Sequence, residues 1–236
     1  MEFKIFHNPD LIGGSKPALE RNEVHIWCIE WKEMKHFWES RQSVMSRQEL
    51  KKAAQFYFYE DRMRYIAGKI MTRLLLMAYL KEREIQFFTG KFGKPYYRPI
   101  SGTPHIGFNL SHSGNIVLAA FAREMDVGVD VQEMAGCPDA GEIAKNFYTS
   151  VEADDVKRGG KEVFFRYWAA KEAYLKAVGT GLNRGMNFFS VRNDRVEENG
   201  KQKQHWKLIP VEIAGYAAFV ALQEKGGNGK WDIKKI

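Results

Sequence analysis

Apolar residues recur at helical spacing through residues 46–60, SRQELKKAAQFYFYE, and again through 61–82, DRMRYIAGKIMTRLLLMAYLKE, which predicts two helices. Asp61 opens the second and charged residues close it. KFGKPYYRPISGTPHIG then carries turn residues without periodicity, so a loop is expected. FNLSH, NIVLAAFA and VGVDVQ read as short strands, with REMD as the tight turn before the last. That last strand alternates: Val127, Val129 and Val131 take one face, and Asp126, Gly128, Asp130 and Gln132 the other.

Beyond Gly136 and Pro138, Thr149 followed three residues later by Glu152 reads as a capping box that opens a short helix. The acids Glu152, Asp154 and Asp155 are accordingly expected to be first-turn helix charge and not a metal cluster. WAAKEAYLK, residues 168–176, is a helix that sets Trp168, Glu172 and Lys176 on one face. Taken alone, that stripe is either a half-buried ring beside an ordinary Glu to Lys pair or part of a site. GTGLNRGMNFF is a glycine-rich exit, HWKLIPVEI and YAAFVALQ are expected strands, and the tail GGNGKWDIKKI is expected to be loosely ordered. RYIAGK (64–69) is echoed by RYWAAK (166–171), and each copy precedes a strand-rich region, which suggests two similar helix-plus-sheet halves. Ile70 and Leu74 stand where the second copy has Glu172 and Lys176, so the halves are not equivalent and a single asymmetric site at their junction is expected.

With 236 residues, 44% of them hydrophobic, the chain can bury a sizeable core. No apolar run approaches the roughly 18 residues of a membrane span, and MEFKIFHNPDLIGG lacks the apolar core of a signal peptide, so a cytosolic protein is expected. Cys28 and Cys137 make neither a disulfide framework nor a metal-ligand spacing. A formal charge of +7 points to an anionic partner: nucleic acid, a phosphorylated cofactor or an acidic protein. The basic residues are spread along the chain, which weakens an extended nucleic-acid footprint. GTGLNRG follows a helix, where a dinucleotide fingerprint would follow a strand, and no P-loop, zinc or serine-elbow pattern occurs.

Lys94 lies in FGKP, Ser111 and His112 in FNLSHSG, Asp130 in VGVDV, and Glu172 and Lys176 in WAAKEAYLK. In this order, across residues 91–182, the motifs resemble the phosphopantetheinyl transferases of the large, surfactin-synthetase-activating type, and YEDRMRYIAGKIMTR extends the likeness back to residue 59. The resemblance implies an α+β pseudo-dimer of two helix-plus-antiparallel-sheet halves, here residues 1–122 and 123–236, with coenzyme A in the cleft between them. It implies transfer of the 4′-phosphopantetheine arm of coenzyme A to a serine of an acyl or peptidyl carrier protein, with Mg²⁺ or alternatively Mn²⁺ bound and 3′,5′-ADP released.

On that resemblance Asp130 and Glu172 are the metal-binding acids, and Glu172 is also the first candidate for the general base. Many members carry a second acid two residues after the motif aspartate; Gln132 stands there in this chain and brings an amide oxygen without charge. Lys94 and His112 are implied at the 3′-phosphate end of the coenzyme and Lys176 at the diphosphate, with Ser111, Arg64 and Lys52 as further coenzyme contacts. Glu49 falls where some relatives place a lysine. Trp168 is expected to pack and so to fix the helix that presents Glu172. Ile143, Phe147 and Tyr148 are either carrier contacts or core. A monomer is expected, without nucleic-acid or membrane partners. Two other functions stay open: a coenzyme A binder that does not transfer the arm, motivated by Gln132, and a basic nucleic-acid-binding protein, motivated by charge and aromatic content.

Overall fold

The computed structural model describes residues 1–12, 18–99, 103–181, 185–223 and 232–235. The elements in chain order are β1 (Glu2–Phe6), α1 (Asn8–Ile12), β2 (Glu23–Glu30), α2 (Lys35–Ser40), α3 (Arg47–Ala53), α4 (Tyr59–Leu80), β3 (Phe87–Thr89) and β4 (Pro95–Tyr97). They continue with β5 (Ile106–Ser113), β6 (Ile116–Arg123), β7 (Val127–Glu133), α5 (Ala140–Phe147), α6 (Ser150–Val178), β8 (Phe189–Arg192), β9 (Arg195–Glu198), β10 (Lys201–Pro210), β11 (Tyr216–Gln223) and β12 (Asp232–Lys235). The chain divides into two compact units: Met1–Phe88 with Pro95–Glu124 and Gly229–Ile236, and Thr89–Lys94 with Met125–Asn228.

In the first unit a five-stranded sheet runs β12-β1-β2-β6-β5. β1 lies parallel to both its neighbours, and the other pairs are antiparallel. Ile66, Ile70, Met71 and Leu75 of α4 pack into one core with Trp27, Val117 and Phe121 of the sheet. The helix predicted over 46–60 is shorter than expected. Ser46 and Glu49 form a capping box, α3 ends at Ala53, and the next helix begins at Tyr59, two residues before Asp61. Consecutive aromatics cannot all reach one core face of a helix; Tyr57 and Phe58 are exposed in the break. The expected loop after residue 90 contains β4, which pairs with β3 in a two-stranded sheet. The tail is corrected too: Asp232–Lys235 pairs with β1, a contact that local composition cannot announce. Residues 226–231 and 236 of that stretch lie outside the described residues.

A polar chain runs through this core. Trp27 Nε1 donates to the Tyr79 hydroxyl at 2.8 Å, and that oxygen lies 2.9 Å from His25 Nδ1. The Tyr79 proton therefore goes to Nδ1, and His25 Nε2–H donates to Glu23 at 3.1 Å. Burial holds the imidazole down to about 4, against an ordinary 6.5, with Glu23 opposing.

The second unit carries an antiparallel sheet ordered β7-β11-β10-β9-β8. Helix α6 bends at Gly160, whose φ of 70° suits glycine. The internal echo is borne out in detail. In the first unit the strands run β2-β6-β5 and in the second β7-β11-β10, each time the strand before the helices, then the second strand of a later antiparallel pair, then the first strand of that pair. In each unit the capping-box glutamate also meets the lysine of the echoed motif: Glu49 with Lys69 at 3.8 Å, and Glu152 with Lys171 at 2.8 Å. Glu152 is thus more than first-turn charge. Lys171 is fully buried and donates also to the carbonyls of Met186, at 2.9 Å, and Phe189, at 2.6 Å. The other Glu152 oxygen accepts from Val191 N at 2.8 Å, so this pair ties the segment after α6 to the helix start.

Candidate functional site

The site begins with a glycine. Gly128 and Asp130 share one face of β7, and a Cβ at Gly128 would lie 2.1 Å from the Ala173 carbonyl oxygen and 2.3 Å from Ala177 N. Glycine and the small residues Ala169, Ala173 and Ala177, all buried, let the α6 backbone lie directly on the strand. Glu172 and Lys176, neighbours of those alanines, are thereby brought to Asp130. Lys176 Nζ donates to Asp130 Oδ1 at 2.6 Å. Gln132 Nε2 donates to Oδ2 at 2.9 Å. Asp130 is 1% exposed. Burial raises the Glu172 carboxyl above the ordinary carboxylate range; Lys176 opposes this and the charge of Asp130 adds to it. The two acids therefore feel one another, and a divalent cation between them would relieve their repulsion.

Among the described residues no group of three or more His, Cys, Asp or Glu side chains could hold a metal. Two carboxylates nonetheless suit Mg²⁺, which is commonly bound by one or two of them together with phosphate oxygens and water. The donor chemistry therefore fits. Gln132, expected near the metal, presents its amide N–H to Asp130 and acts in this geometry as a donor.

Lys94 belongs to the same unit. Its ammonium donates to the Ala177 carbonyl at 2.7 Å and lies 3.7 Å from Asp126, so it satisfies one of the last carbonyls of α6. Burial lowers its pKa, with Asp126 opposing. Ser111, His112, Arg64 and Lys52 belong to the first unit. Ser111 is buried on β5 and His112 is exposed near the end of that strand. Arg64 donates to the Gly114 carbonyl at 2.9 Å and pairs with Asp61, which holds the β5–β6 turn to α4. Lys52 lies over the Tyr65 ring at 5.5 Å. Glu49, where some relatives have a lysine, accepts from Arg73 at 2.7 Å.

Trp168 packs between Phe147 and Phe164, with centroids 6.4 and 5.7 Å away, so the packing expectation holds. Tyr148 is core: it is buried and its hydroxyl donates to the Phe164 carbonyl at 2.9 Å. Ile143 is half-buried against the same cluster, and Phe147 is 44% exposed. Sequence reasoning assigned no role to Gly128 or Lys171. The first had a visible signal, a glycine inside a strand, which marks close approach of another backbone. The second had none, because its partner lies 19 residues away.

A sequence profile of the 4′-phosphopantetheinyl transferase superfamily matches residues 126–221, and one of the 4′-phosphopantetheinyl transferase N-terminal region matches residues 29–124. The chain is 33% identical over 171 residues to the 4′-phosphopantetheinyl transferase HetI of Nostoc sp., covering 70% of this chain and 72% of that protein. It is also 33% identical over 156 residues to the 4′-phosphopantetheinyl transferase Sfp of Bacillus subtilis, covering 64% and 67%. The human L-aminoadipate-semialdehyde dehydrogenase-phosphopantetheinyl transferase aligns over 92% of this chain and 79% of its own length at 27% identity. Abutting profile matches over both units, together with the Nostoc relative, show that the chain belongs to the 4′-phosphopantetheinyl transferase superfamily.

Proposed function

We propose that the protein transfers the 4′-phosphopantetheine arm of coenzyme A to a serine hydroxyl of an acyl or peptidyl carrier protein and releases 3′,5′-ADP. The observation that carries this reading is the meeting of Asp130 and Glu172, with Lys176 beside them, where α6 lies on β7 at Gly128. The serine oxygen bonds to the phosphorus that bears the pantetheine, and the bond from that phosphorus to the bridging diphosphate oxygen breaks. 3′,5′-ADP leaves with that electron pair. The serine proton passes by way of a water to Glu172, whose burial makes its carboxylate a better proton acceptor than an ordinary one. Asp130 and Glu172 would hold Mg²⁺ or Mn²⁺, which when bound polarises the phosphorus and stabilises the leaving oxygen. Lys176 neutralises diphosphate charge. Lys94, Ser111, His112 and Arg64 are assigned to the coenzyme by their places in the family motifs, and Lys52 is added as a basic residue of the same half as Arg64.

No described helix is long and apolar enough to cross a membrane. We place the protein in the cytosol as a monomer, on its two sparse cysteines and its internal repeat, and assign its positive charge to coenzyme A and not to nucleic acid. A second reading, coenzyme A binding without transfer, is favoured by Gln132 alone. Incubating the protein with coenzyme A, Mg²⁺ and a panel of apo carriers, then weighing the carriers, decides between them. A mass gain of one phosphopantetheine is expected. Asp130→Ala and Glu172→Ala should each lower the rate by at least about 100-fold with the fold intact; wild-type-like turnover by either would refute the site.

A further inference from the structure

Each oxygen of the Asp130 carboxylate already accepts a hydrogen bond from its own unit. Lys176 takes Oδ1 at 2.6 Å and Gln132 takes Oδ2 at 2.9 Å, on a residue only 1% exposed. A charge-assisted contact as short as that of Lys176 is among the stronger hydrogen bonds a carboxylate forms. A divalent ion needs one of those two oxygens, and it would meet an ammonium beside it. Glu172 is half-buried on the same helix, one turn before Lys176. It offers the second carboxylate but does not remove the ammonium. The Gln132 amide turns its N–H toward Oδ2, so its own oxygen is not the atom presented at the carboxylate.

Resting on the coenzyme A reading above, we infer that Lys176 and the divalent ion compete for Asp130, and that the ion binds tightly only together with the coenzyme's diphosphate, which draws Lys176 away. The diphosphate gives the ammonium a second anion and gives the cation extra oxygen ligands, so one ligand relieves both conflicts. Lys176 is then a positioning residue for the metal as well as a phosphate contact. Coupling of this kind is reciprocal: whatever factor the coenzyme adds to metal affinity, the metal adds to coenzyme affinity. Its consequence for the enzyme is order, with the ion entering as a partner of the diphosphate.

Mn²⁺ is the probe, titrated into the full chain and followed by the electron paramagnetic resonance signal of the free ion, with and without coenzyme A. Coenzyme A should tighten Mn²⁺ binding to the wild type at least about tenfold. Lys176→Met should bind Mn²⁺ at least about tenfold more tightly than wild type without the coenzyme, and should lose most of the gain the coenzyme confers. Lys176→Arg, which keeps the cation, should leave Mn²⁺ affinity near that of wild type. The inference is overturned if Lys176→Met binds Mn²⁺ no more tightly than wild type without the coenzyme, or if coenzyme A leaves wild-type Mn²⁺ affinity unchanged. Should Lys176→Met fail to fold by circular dichroism, Lys176→Gln takes its place under the same criteria. Calorimetry of coenzyme A in excess Mg²⁺ separates the two claims. If the coenzyme does not bind, the proposed function fails; if it binds without changing Mn²⁺ affinity, only the competition fails.

Discussion

Gly128→Ala puts a single methyl group where the structure leaves no room. The new carbon would sit 2.1 Å from the Ala173 oxygen, 2.3 Å from Ala177 N and 2.8 Å from Ala177 Cα, where ordinary contacts are 3.4–4 Å. All three are backbone atoms, so no side-chain rotation can make room, and α6 must retreat from β7 by more than about 1 Å. Overpacking a tight interior costs about 1–3 kcal/mol, and a backbone obstacle places this variant at the upper end, about 3 kcal/mol. The same retreat carries Glu172 and Lys176 away from Asp130, and a misplacement of about 1 Å can cost about 100-fold in rate. Urea denaturation reads the first effect and carrier mass gain per unit time reads the second. Gly141→Ala on α5 is the control, because nothing lies within 4 Å of its Cβ; it should be neutral or stabilise by about 0.4–1 kcal/mol. A Gly128→Ala protein with wild-type stability and wild-type transfer would refute the account of how this site is assembled.

Lys171→Met leaves Glu152 as an uncompensated buried charge and should cost about 3–5 kcal/mol, while Lys171→Met combined with Glu152→Leu recovers part of the loss; a single-variant cost below about 1 kcal/mol in urea would contradict the buried pair. His25 is neutral in the fold down to about 4 but takes a proton near 6.5 once unfolded, so the unfolded chain binds more protons between those values and stability falls as pH drops through that window. At about 1.4 kcal/mol per pH unit the loss from this residue reaches about 3 kcal/mol. Unfolding measured from pH 7 to pH 4 should therefore decline less steeply in His25→Gln than in wild type, and equal slopes would argue against the neutral imidazole.

The parts of the fold that announce themselves in sequence are those with a local cause. VGVDVQ alternates, Thr149 and Glu152 stand at capping-box spacing, and both features occur where expected. β2 gave no such signal: seven of its eight residues are buried, because it lies inside the sheet between β1 and β6, and alternation vanishes when both faces are covered. β12 depends on pairing with the opposite end of the chain. The acids of the site were legible as motif residues, and their meeting was expected from the family resemblance. Their hydrogen-bond partners were not legible. The stripe of Trp168, Glu172 and Lys176 suggested a local Glu to Lys pair, but the ammonium also reaches across to Asp130, which lies 46 residues earlier. Lys94 likewise read as a phosphate ligand, and nothing in GKP foretold its bond to a helix end.

That bond limits how the protein can be dissected. A gene fragment starting at residue 125 would encode nearly all of the second unit yet omit Thr89–Lys94, which folds with it. Such a fragment would lack the ammonium that closes α6 at Ala177, next to Lys176. Expressing that half by itself therefore requires splicing in a six-residue piece from 30 residues upstream, or else accepting a frayed terminus at the reactive end.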